Sequence, residues 1–381
     1  MRVMRVMRAC AIVALASYQA AAQPAPTLPA SVIARIDSLA RAQLAIDDVG
    51  GMTIGVVTDS GLLWTNSYGF ADMSRRESAA RSTVYRIGSI TKQFTATMLL
   101  QLVQRGLVHL SDPGNRYLPE LDSVQGGHGR YPPATLMQLA TMTSGLAQEP
   151  DDEAHFSVGD VKDWEHVLAM ALPRTRVNTE PGTAWLYSNV GYAALGAALE
   201  RAAGQPYIEY VSERILKPLG MAHSGFIAHG ELRARLATGY AMAHGVVDTL
   251  VPKRELAGRG YRVPNGGLFS TIDDMAAYVR FEMGNAPDSV LPKSVLKNNF
   301  ANLAYSTGDM SSGYGIGFHA KRQHSMVALG HPGSVPGYLA AAYFDPVTHT
   351  GVVVLRNVDD SAFDVLGFCL TVLELSAAAR K

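Results

Sequence analysis

Two side chains that together could form and break an acyl bond stand close in the sequence. Ser89 and Lys92 are three residues apart at the start of a segment whose apolar spacing predicts a helix over residues 89–104. At this spacing on a helix, both side chains lie on one face and can touch. A serine hydroxyl needs a base or a nearby cation to attack a carbonyl, and Lys92 could act as either. The pair therefore predicts nucleophilic attack by Ser89.

The pattern Ser-x-x-Lys is weak evidence when it stands alone. In most cases the serine only caps a helix and the lysine is a solvated surface residue. This chain contains a second copy, Ser294 to Lys297, in a polar stretch with no Tyr-x-Asn between it and the later His-x-Gly. We interpret this second copy as structural.

Two further motifs follow the first copy in a fixed order. Tyr187-Ser188-Asn189 comes next, and Gly330-His331-Pro332-Gly333-Ser334 comes after it. A single tyrosine is usually a core aromatic residue, and a single histidine is usually a hydrogen-bonded polar residue. All three motifs in this order are much harder to obtain by chance, so they favour one shared site.

The three motifs and several segments between them resemble the serine beta-lactamase and penicillin-binding-protein family. The nearest branch is that of the class C beta-lactamases, the DD-peptidases and the related esterases, in which Ser-x-x-Lys is a catalytic signature. The additional matching segments are 68–72, 107–110, 138–146, 180–182, 218–221 and 266–271. The resemblance extends over nearly the whole chain after residue 22.

The resemblance implies a role for each residue of the first two motifs. Ser89 is the expected nucleophile and Lys92 its hydrogen-bonded partner. Tyr187 is expected to act as general base in acylation and as acid toward the leaving group. A neighbouring ammonium would favour the phenolate and lower the pKa of Tyr187 from its ordinary value near 10. The Asn189 amide is expected to bind Lys92 and the substrate.

The third motif is expected to form an edge strand along the cleft. The backbone N–H of Ser334 would then stabilise the oxyanion together with the N–H of Ser89. Gly333 would let the substrate lie flat against the strand. The backbone nitrogen of Pro332 would face the cleft, so the missing N–H would cost no hydrogen bond to a neighbouring strand. The resemblance implies that His331, like Asn189, Gly333 and Ser334, binds the substrate. His331 and Pro332 replace the Lys-Thr of typical beta-lactamases, which favours peptidase or esterase action over penicillin hydrolysis.

The predicted elements place strands at both ends of the chain and helices between them. They comprise a helix over 31–48, a hairpin over 52–68, helices in the middle, strands over 314–320, 325–330, 338–344 and 351–356, and a final helix over 361–378. This order predicts an α/β (α+β) fold with a mainly antiparallel sheet flanked by helices. The α/β lobe would comprise about 30–88 and 265–381, and an inserted, mostly helical lobe about 89–264. The resemblance implies a beta-lactamase/transpeptidase-like fold.

The first residues have the pattern of a secretory signal. Three arginines precede a short apolar stretch that ends in small residues, which predicts a signal peptide over 1–22 and a hydrolase domain over 23–381. We therefore expect a periplasmic or secreted protein with no membrane span after cleavage. Cys369 would then be the only cysteine, and it lies in an apolar run where a buried, inert thiol is expected.

Other classes of protein are disfavoured by motifs that the sequence lacks. No serine has glycine two residues away on both sides, as an α/β-hydrolase would require, and the 11 histidines include no His-x-His or His-Glu-x-x-His. We expect no metal and no organic cofactor. No basic run indicates nucleic acid. The expected partner is a small-molecule or peptide carbonyl substrate, and the oligomeric state stays open.

These observations predict an exported serine hydrolase that acts through an acyl-enzyme on an amide or ester carbonyl. A beta-lactam, a D-amino-acid peptide and an ester all remain open as the substrate. The alternative is a binding protein or sensor that is acylated by penicillin without turnover, or that only recognises cell-wall peptide. Because every residue needed for the chemistry is present, the enzyme is favoured.

Overall fold

The structure is a computed structural model, and it describes residues 27–243, 246–285, 287–300, 303–306, 310–360 and 362–380. The predicted signal peptide, residues 1–22, lies outside these ranges. Within them, no helix combines the length and the apolar character needed to cross a membrane.

The helices occur mainly between two groups of strands. The α-helices are α1 Ala30–Asp47, α2 Thr91–Gln104, α3 Leu136–Ala140, α4 Trp164–Ala171, α5 Asn189–Ala203, α6 Tyr207–Val211, α7 Gly230–Ala234, α8 Leu250–Arg254, α9 Val263–Gly266, α10 Ile272–Glu282, α11 Lys293–Phe300 and α12 Val365–Ala378. Short 3-10 turns join several of them, and the one at Gly88–Ile90 leads directly into α2.

The strands come mostly from the two ends of the chain. They are β1 Gly51–Thr58, β2 Gly61–Asp72, β3 Glu77–Ser78, β4 Tyr85–Arg86, β5 Tyr240–Ala243, β6 Val246–Asp248, β7 Phe269–Ser270, β8 Ala304–Tyr305, β9 Ser312–Tyr314, β10 His319–Gln323, β11 Met326–Val335, β12 Tyr338–Asp345, β13 Thr350–Arg356 and β14 Val358–Asp359.

One large antiparallel sheet dominates the described residues. Its strand order is β3-β2-β1-β13-β12-β11-β10-β9-β8. The first and last parts of the chain meet where β1 pairs with β13, from Met52 opposite Arg356 to Thr58 opposite Thr350. The prediction of a mainly antiparallel sheet assembled from both chain ends is therefore confirmed.

The sheet separates two hydrophobic clusters. On one face, α1 and α12 pack over a smaller cluster that includes Ile54, Val354 and Cys369. On the other face, α10 and the helices of the middle segment form a larger cluster. The alternation of side chains along each strand supplies apolar residues to both faces, so the strands are buried almost throughout. The Cys369 thiol is fully buried, as predicted, and burial raises its pKa.

The middle of the chain is mostly helical, but part of it also forms strands that pair with a strand from the end of the chain. The strands β5 and β6 form a small sheet with β14, which follows β13. The hydroxyl of Tyr240 accepts from the backbone N–H of Met73, and Thr238 donates to Asp72 at 2.8 Å. Residues 238–243 and 246–248 therefore belong with the strands in space, although they lie within the segment 89–264 in sequence.

Three predicted elements differ from the observed ones in their bounds. The strand predicted over 314–320 is interrupted at residues 315–318, which separate β9 from β10. The strand predicted to end at residue 330 continues through Pro332 to Val335. The last helix begins at Val365 rather than at residue 361, because the Asp364 side chain caps it by accepting from the Gly367 N–H.

Candidate active site

Ser89 lies in a tight turn at the start of α2. The turn Gly88–Ile90 is a 3-10 helix, and Gly88 has a φ of +52°, a conformation that favours glycine. Thr91 donates its hydroxyl to the Gly88 carbonyl at 2.7 Å and accepts from the Leu268 N–H. These bonds fix the turn, and they present the Ser89 side chain at the surface of a cavity.

Lys92 is one turn further along and points back to Ser89. Its Nζ lies 3.0 Å from Ser89 Oγ, and it donates to Asn189 Oδ1 at 2.7 Å and to the Asn265 carbonyl at 3.1 Å. The Lys92 side chain is fully buried, although it carries an amine. Burial lowers the pKa of Lys92 well below the ordinary lysine value, because a charged amine loses its hydration there.

Tyr187 completes the group around the serine hydroxyl. Its OH donates to Ser89 Oγ at 2.9 Å, and Lys92 Nζ lies 4.8 Å from the centre of its ring. Burial raises the pKa of Tyr187 above the ordinary tyrosine value. The predicted lowering of this pKa is therefore wrong. Loss of hydration of the phenolate is the main cause; the hydrogen bond with Ser89 opposes it, and the negative charge of Glu149 adds to it.

Asn189 connects Lys92 to a carboxylate that sequence reasoning did not identify. Its Oδ1 accepts from Lys92, and its Nδ2 donates to Glu149 Oε1 at 2.6 Å. The other oxygen of Glu149 accepts from Tyr261 and lies 3.1 Å from Arg262 Nη2. In this state the Asn189 amide contacts Lys92 as predicted. Its NH₂ group, however, donates to Glu149.

The segment before α5 is held in place by Met142, for which the sequence indicates no role. The backbone N–H of Ser188 donates to Met142 Sδ at 3.2 Å, and the Leu186 N–H donates to the Met142 carbonyl at 2.8 Å. The Met142 side chain is fully buried. Bonds on both sides of Tyr187 therefore determine where its hydroxyl lies.

The strand β11 lies along the opposite side of Ser89. The pairing with β10 reaches only Gly330, so β11 has a free edge from residue 331 onward. A two-residue turn joins Val335 to Tyr338, so these two residues form a hydrogen-bonded pair across the hairpin. Because backbone N–H groups alternate between the two edges of a strand, the N–H of Ser334 points to the opposite, free edge of β11. Pro332 has the same orientation and therefore removes no bond to β12, as the sequence predicted.

The reason for a glycine at position 333 differs from the predicted one. A side-chain carbon on Gly333 would lie 2.0 Å from the Ile87 carbonyl oxygen and 3.2 Å from the Ser89 nitrogen. A side-chain carbon on Gly88 would similarly lie 2.8 Å from the Ser334 nitrogen. The two glycines therefore allow two backbone segments to touch, which brings the N–H groups of Ser89 and Ser334 to one place.

Gly333→Ala is expected to decrease both stability and activity. The added carbon would meet backbone rather than a movable side chain, so β11 and the Ser89 turn must separate, at a cost of about 1–3 kcal/mol in unfolding free energy. Denaturant unfolding and ester hydrolysis would measure the two effects. Gly225→Ala is the matched control, because its nearest neighbour is a side-chain carbon of Leu232 at 3.5 Å. Wild-type behaviour of Gly333→Ala would contradict this explanation.

His331 lies behind the catalytic group rather than at the cavity. Its side chain is 1% exposed, and its Nε2 lies 3.0 Å from the Tyr314 hydroxyl. The rings of Tyr314 and His331 both pack beside Tyr187. Burial lowers the pKa of His331 well below the ordinary value and that of His319 to about 3, so both imidazoles are neutral at pH 7. A neutral His331 agrees with the sequence analysis.

The second Ser-x-x-Lys copy has different surroundings. Ser294 and Lys297 lie on α11 and are both exposed, whereas Lys92 is buried and Ser89 is partly buried. This arrangement supports the interpretation of the second copy as structural.

The cavity beside Ser89 has a volume of about 170 Å³ and a strongly polar lining. The lining residues are Ser89, Glu149, Glu153, Asn189, Arg259, Arg262, Asn265, Ser334, Val335, Pro336 and Asp359. The structure thus gathers the candidate residues Ser89, Lys92, Tyr187, Asn189, Gly333 and Ser334 around one hydroxyl.

The comparison with family models agrees with this arrangement. Residues 36–367 match the family model described as Beta-lactamase, which is most of the chain. The chain belongs to the beta-lactamase family. The resemblance predicted from the motifs is therefore confirmed, and so is the beta-lactamase/transpeptidase-like fold.

A curated relative supports the family assignment over a shared region. Protein flp of Staphylococcus aureus (strain MRSA252) is 25% identical over 326 residues, which are 85% of this chain and 63% of flp. This beta-lactamase family chain therefore spans less than two thirds of the length of that relative.

Two solved structures have the same fold. A penicillin-binding protein homologue from Pyrococcus abyssi, described as octameric, has a TM-score of 0.77 and 26% identity, over 90% of this chain and 77% of its own. A D-stereospecific amidohydrolase from Streptomyces sp. has a TM-score of 0.69 and 25% identity, over 86% of this chain and 96% of its own. Members of the beta-lactamase family are generally hydrolases.

Sequence reasoning missed three residues of this beta-lactamase-type site. Glu149 accepts a hydrogen bond from Asn189, and Tyr314 contacts His331. The third residue is Asn265, whose side chain donates to the Asn189 carbonyl at 2.8 Å. Asn265 immediately precedes the matching segment 266–271, and Glu149 follows the segment 138–146 by three residues, so proximity to a motif was the available signal. Tyr314 had no comparable signal.

Metal ligands are not clustered in the part of the chain that the structure describes. No group of three or more His, Cys, Asp or Glu side chains there is arranged to hold a metal ion.

Proposed function

We propose that this protein is a serine hydrolase that forms an acyl-enzyme at Ser89 and then hydrolyses it. One observation carries the proposal: Ser89 Oγ lies 3.0 Å from Lys92 Nζ and 2.9 Å from the Tyr187 hydroxyl. A base and an acid are thus both within hydrogen-bonding distance of one nucleophile, which is the geometry that covalent catalysis requires.

We assign the general base to Lys92. A neutral amine has two N–H groups and one lone pair. The Asn189 oxygen and the Asn265 carbonyl can accept the two N–H groups, which leaves the lone pair facing the Ser89 hydroxyl. Because burial lowers the pKa of Lys92, the neutral form is favoured in the free enzyme. Attack by Oγ on the carbonyl carbon would transfer the hydroxyl proton to Nζ.

We assign Tyr187 the role of proton donor to the leaving group. Its raised pKa keeps the phenol protonated at neutral pH, and an alkoxide or amine leaving group is basic enough to take that proton. As the bond from the carbonyl carbon breaks, the leaving group departs with the phenolic proton. The Lys92 ammonium then returns a proton to Tyr187. Water next adds its oxygen to the acyl carbon, one of its protons passes by way of Lys92 to Ser89 Oγ as the bond from Oγ to the acyl carbon breaks, and the carboxylic acid leaves.

The developing oxyanion would be stabilised by backbone. The N–H groups of Ser89 and Ser334 are brought together by the contact between the Ser89 turn and β11. Such preorganised donors stabilise the charge of a tetrahedral intermediate because they need no reorientation during the reaction. Substitution of the Ser334 side chain would leave this donor in place.

The surroundings of Ser89 support an ester or amide substrate over a beta-lactam. A beta-lactam carries a carboxylate, which in typical family members is held by a cation at the third motif. Here that position is occupied by His331, which is buried and neutral. The cavity is lined by the carboxylates of Glu149, Glu153 and Asp359, and its two arginines, Arg259 and Arg262, are already paired with Glu255 and with Glu149 and Glu153. The likeness to an amidohydrolase supports the same choice. We propose export of the protein on the basis of residues 1–22.

Side-by-side turnover tests this proposal. A short-chain p-nitrophenyl ester, a D-Ala-D-Ala peptide and the chromogenic cephalosporin nitrocefin would be compared, with mass spectrometry of the protein during each reaction. We expect ester or peptide turnover, slow nitrocefin hydrolysis and a transient adduct on Ser89. A stable adduct with no turnover of any substrate would instead identify a binding protein.

We expect kcat/KM to rise as the pH rises through the lowered pKa of Lys92. The base acts only when it is neutral, so activity is lost as pH falls through this pKa and is retained above it. Because burial lowers the pKa of Lys92 well below the ordinary lysine value, this fall in kcat/KM at low pH, which we call the acid limb, should lie at lower pH than an exposed lysine would give. A pH–rate profile with the p-nitrophenyl ester measures the acid limb. The residual activity of Lys92→Met should have no acid limb of this origin.

A further inference from the structure

Glu149 occupies a partly buried position at the end of a chain of contacts that starts at Ser89. Ser89 contacts Lys92, Lys92 donates to Asn189, and Asn189 donates to Glu149 at 2.6 Å. Glu149 also accepts from Tyr261 and pairs with Arg262. The proposed mechanism above makes no use of this carboxylate.

The contact with Glu149 decides which end of the Asn189 amide faces Lys92. A carboxylate can only accept hydrogen bonds, so it requires the NH₂ end of the amide to point toward it. The oxygen end must then point to Lys92, where it accepts one of the amine protons. Without Glu149, the amide could rotate and present its NH₂ group to Lys92, which would compete for the amine lone pair.

Among the charged groups around Lys92, Glu149 is the one whose negative charge favours an ammonium at Lys92. Arg259 and Arg262 both disfavour an ammonium at Lys92, and Glu149 favours it. Arg259 is neutralised by Glu255, which also pairs with Arg86, and Arg262 is paired with Glu149 and Glu153. The other titratable groups facing the site are His319 and His331 on the sheet side and Tyr187, Tyr192 and Tyr261 from the helical segment.

We propose that Glu149 is a positioning residue for Lys92, which orients the Asn189 amide and stabilises the ammonium that forms when Ser89 attacks. This inference rests on the proposed function of Lys92 as the base. Glu149 does not take the proton itself, because one oxygen is bound by Asn189 and the other by Tyr261 and Arg262. It acts through Asn189 and through its charge.

Glu149→Gln tests the charge. The amide keeps the size of the side chain but removes the negative charge that favours protonated Lys92, while Arg259 and Arg262 remain. The pKa of Lys92 therefore falls further, and the acid limb of the kcat/KM profile should move to lower pH. The plateau kcat should fall roughly 10-fold to 10²-fold, the size of effect that a misplaced catalytic group produces.

Glu149→Asp separates orientation from charge. Aspartate keeps the negative charge but is shorter by one methylene, so it withdraws from Asn189. The plateau kcat should fall as in Glu149→Gln, whereas the acid limb should stay closer to that of the wild type. A purely structural role would lower the plateau in both variants without moving either limb.

Glu153→Gln is the comparison variant. Glu153 pairs with the same arginine as Glu149, yet it makes no contact with Asn189 and its side chain is half exposed. The proposal requires the shift of the acid limb in Glu149→Gln to exceed that in Glu153→Gln. Equal shifts, or an unmoved limb in Glu149→Gln, would overturn it.

The same series distinguishes a failure of this inference from a failure of the proposed function. Wild-type protein would first be tested for a transient adduct on Ser89 and for an acid limb in hydrolysis of the p-nitrophenyl ester. Absence of either would refute the mechanism on which the inference depends. Presence of both, together with unchanged profiles in folded Glu149 variants, would refute the role of Glu149 alone.

Discussion

Ser89→Ala is expected to lower kcat on every substrate by a factor on the order of 10⁶, the loss that follows removal of the nucleophile from a catalytic unit. This factor corresponds to about 8 kcal/mol in activation free energy. The reason is that neither Lys92 nor Tyr187 can form the acyl bond in place of Oγ, although both remain beside the cavity. Hydrolysis of the p-nitrophenyl ester measures the rate, and mass spectrometry should detect no adduct.

The chain provides its own control for this experiment. Ser294 has the same spacing to Lys297 as Ser89 has to Lys92, but it is exposed on α11. Ser294→Ala should therefore retain wild-type kcat and adduct formation. If Ser89→Ala kept full activity, the acyl-enzyme mechanism at this residue would be wrong, whatever the behaviour of the control.

Tyr187→Phe is expected to lower kcat by roughly 10²–10⁴ on amide and alkyl ester substrates, the usual effect of removing a general acid–base group. These substrates release a basic amine or alkoxide, which needs the phenolic proton. A p-nitrophenyl ester releases a stable anion and needs no proton, so its turnover should fall much less. The ratio of the two rates, measured in wild type and variant, is the decisive quantity.

Tyr207→Phe is a suitable control for Tyr187→Phe. Tyr207 is also fully buried in the helical segment, and its hydroxyl lies 2.8 Å from Thr95 Oγ1, away from the cavity residues. Removal of that hydroxyl should change stability without changing the ratio of amide to p-nitrophenyl ester turnover. A uniform loss on all substrates in Tyr187→Phe would argue against an acid role and would shift proton transfer to Lys92 alone.

The sequence was most informative where chemistry requires particular residue types at fixed positions. Ser89, Lys92 and Tyr187 were identified from three motifs in order, and the structure brings Lys92 and Tyr187 within hydrogen-bonding distance of the Ser89 hydroxyl. The sheet was also predictable, because strand patterns at both chain ends can be buried together only if the ends meet. The family was predicted from the same motifs.

The sequence was least informative about electrostatics and about contacts between distant segments. The pKa of Tyr187 was predicted to fall because a neighbouring lysine was considered and burial was not. Glu149 stands in a loop with no periodic pattern, and its contact with Asn189 joins residues 40 positions apart. Gly333 was expected to make room for the substrate, whereas its neighbour is the Ile87 carbonyl.

The sequence by itself therefore determined the family, the antiparallel sheet built from both chain ends and the identity of the proposed reacting groups. It did so because these depend on residue type, spacing and hydrophobic pattern. Only the tertiary structure decided in which direction burial shifts the pKa values of Lys92 and Tyr187, what Gly333 and His331 contact, and that Glu149 accepts a hydrogen bond from the Asn189 amide beside Lys92. Those properties depend on burial and on partners from remote segments, which come together only when the chain folds.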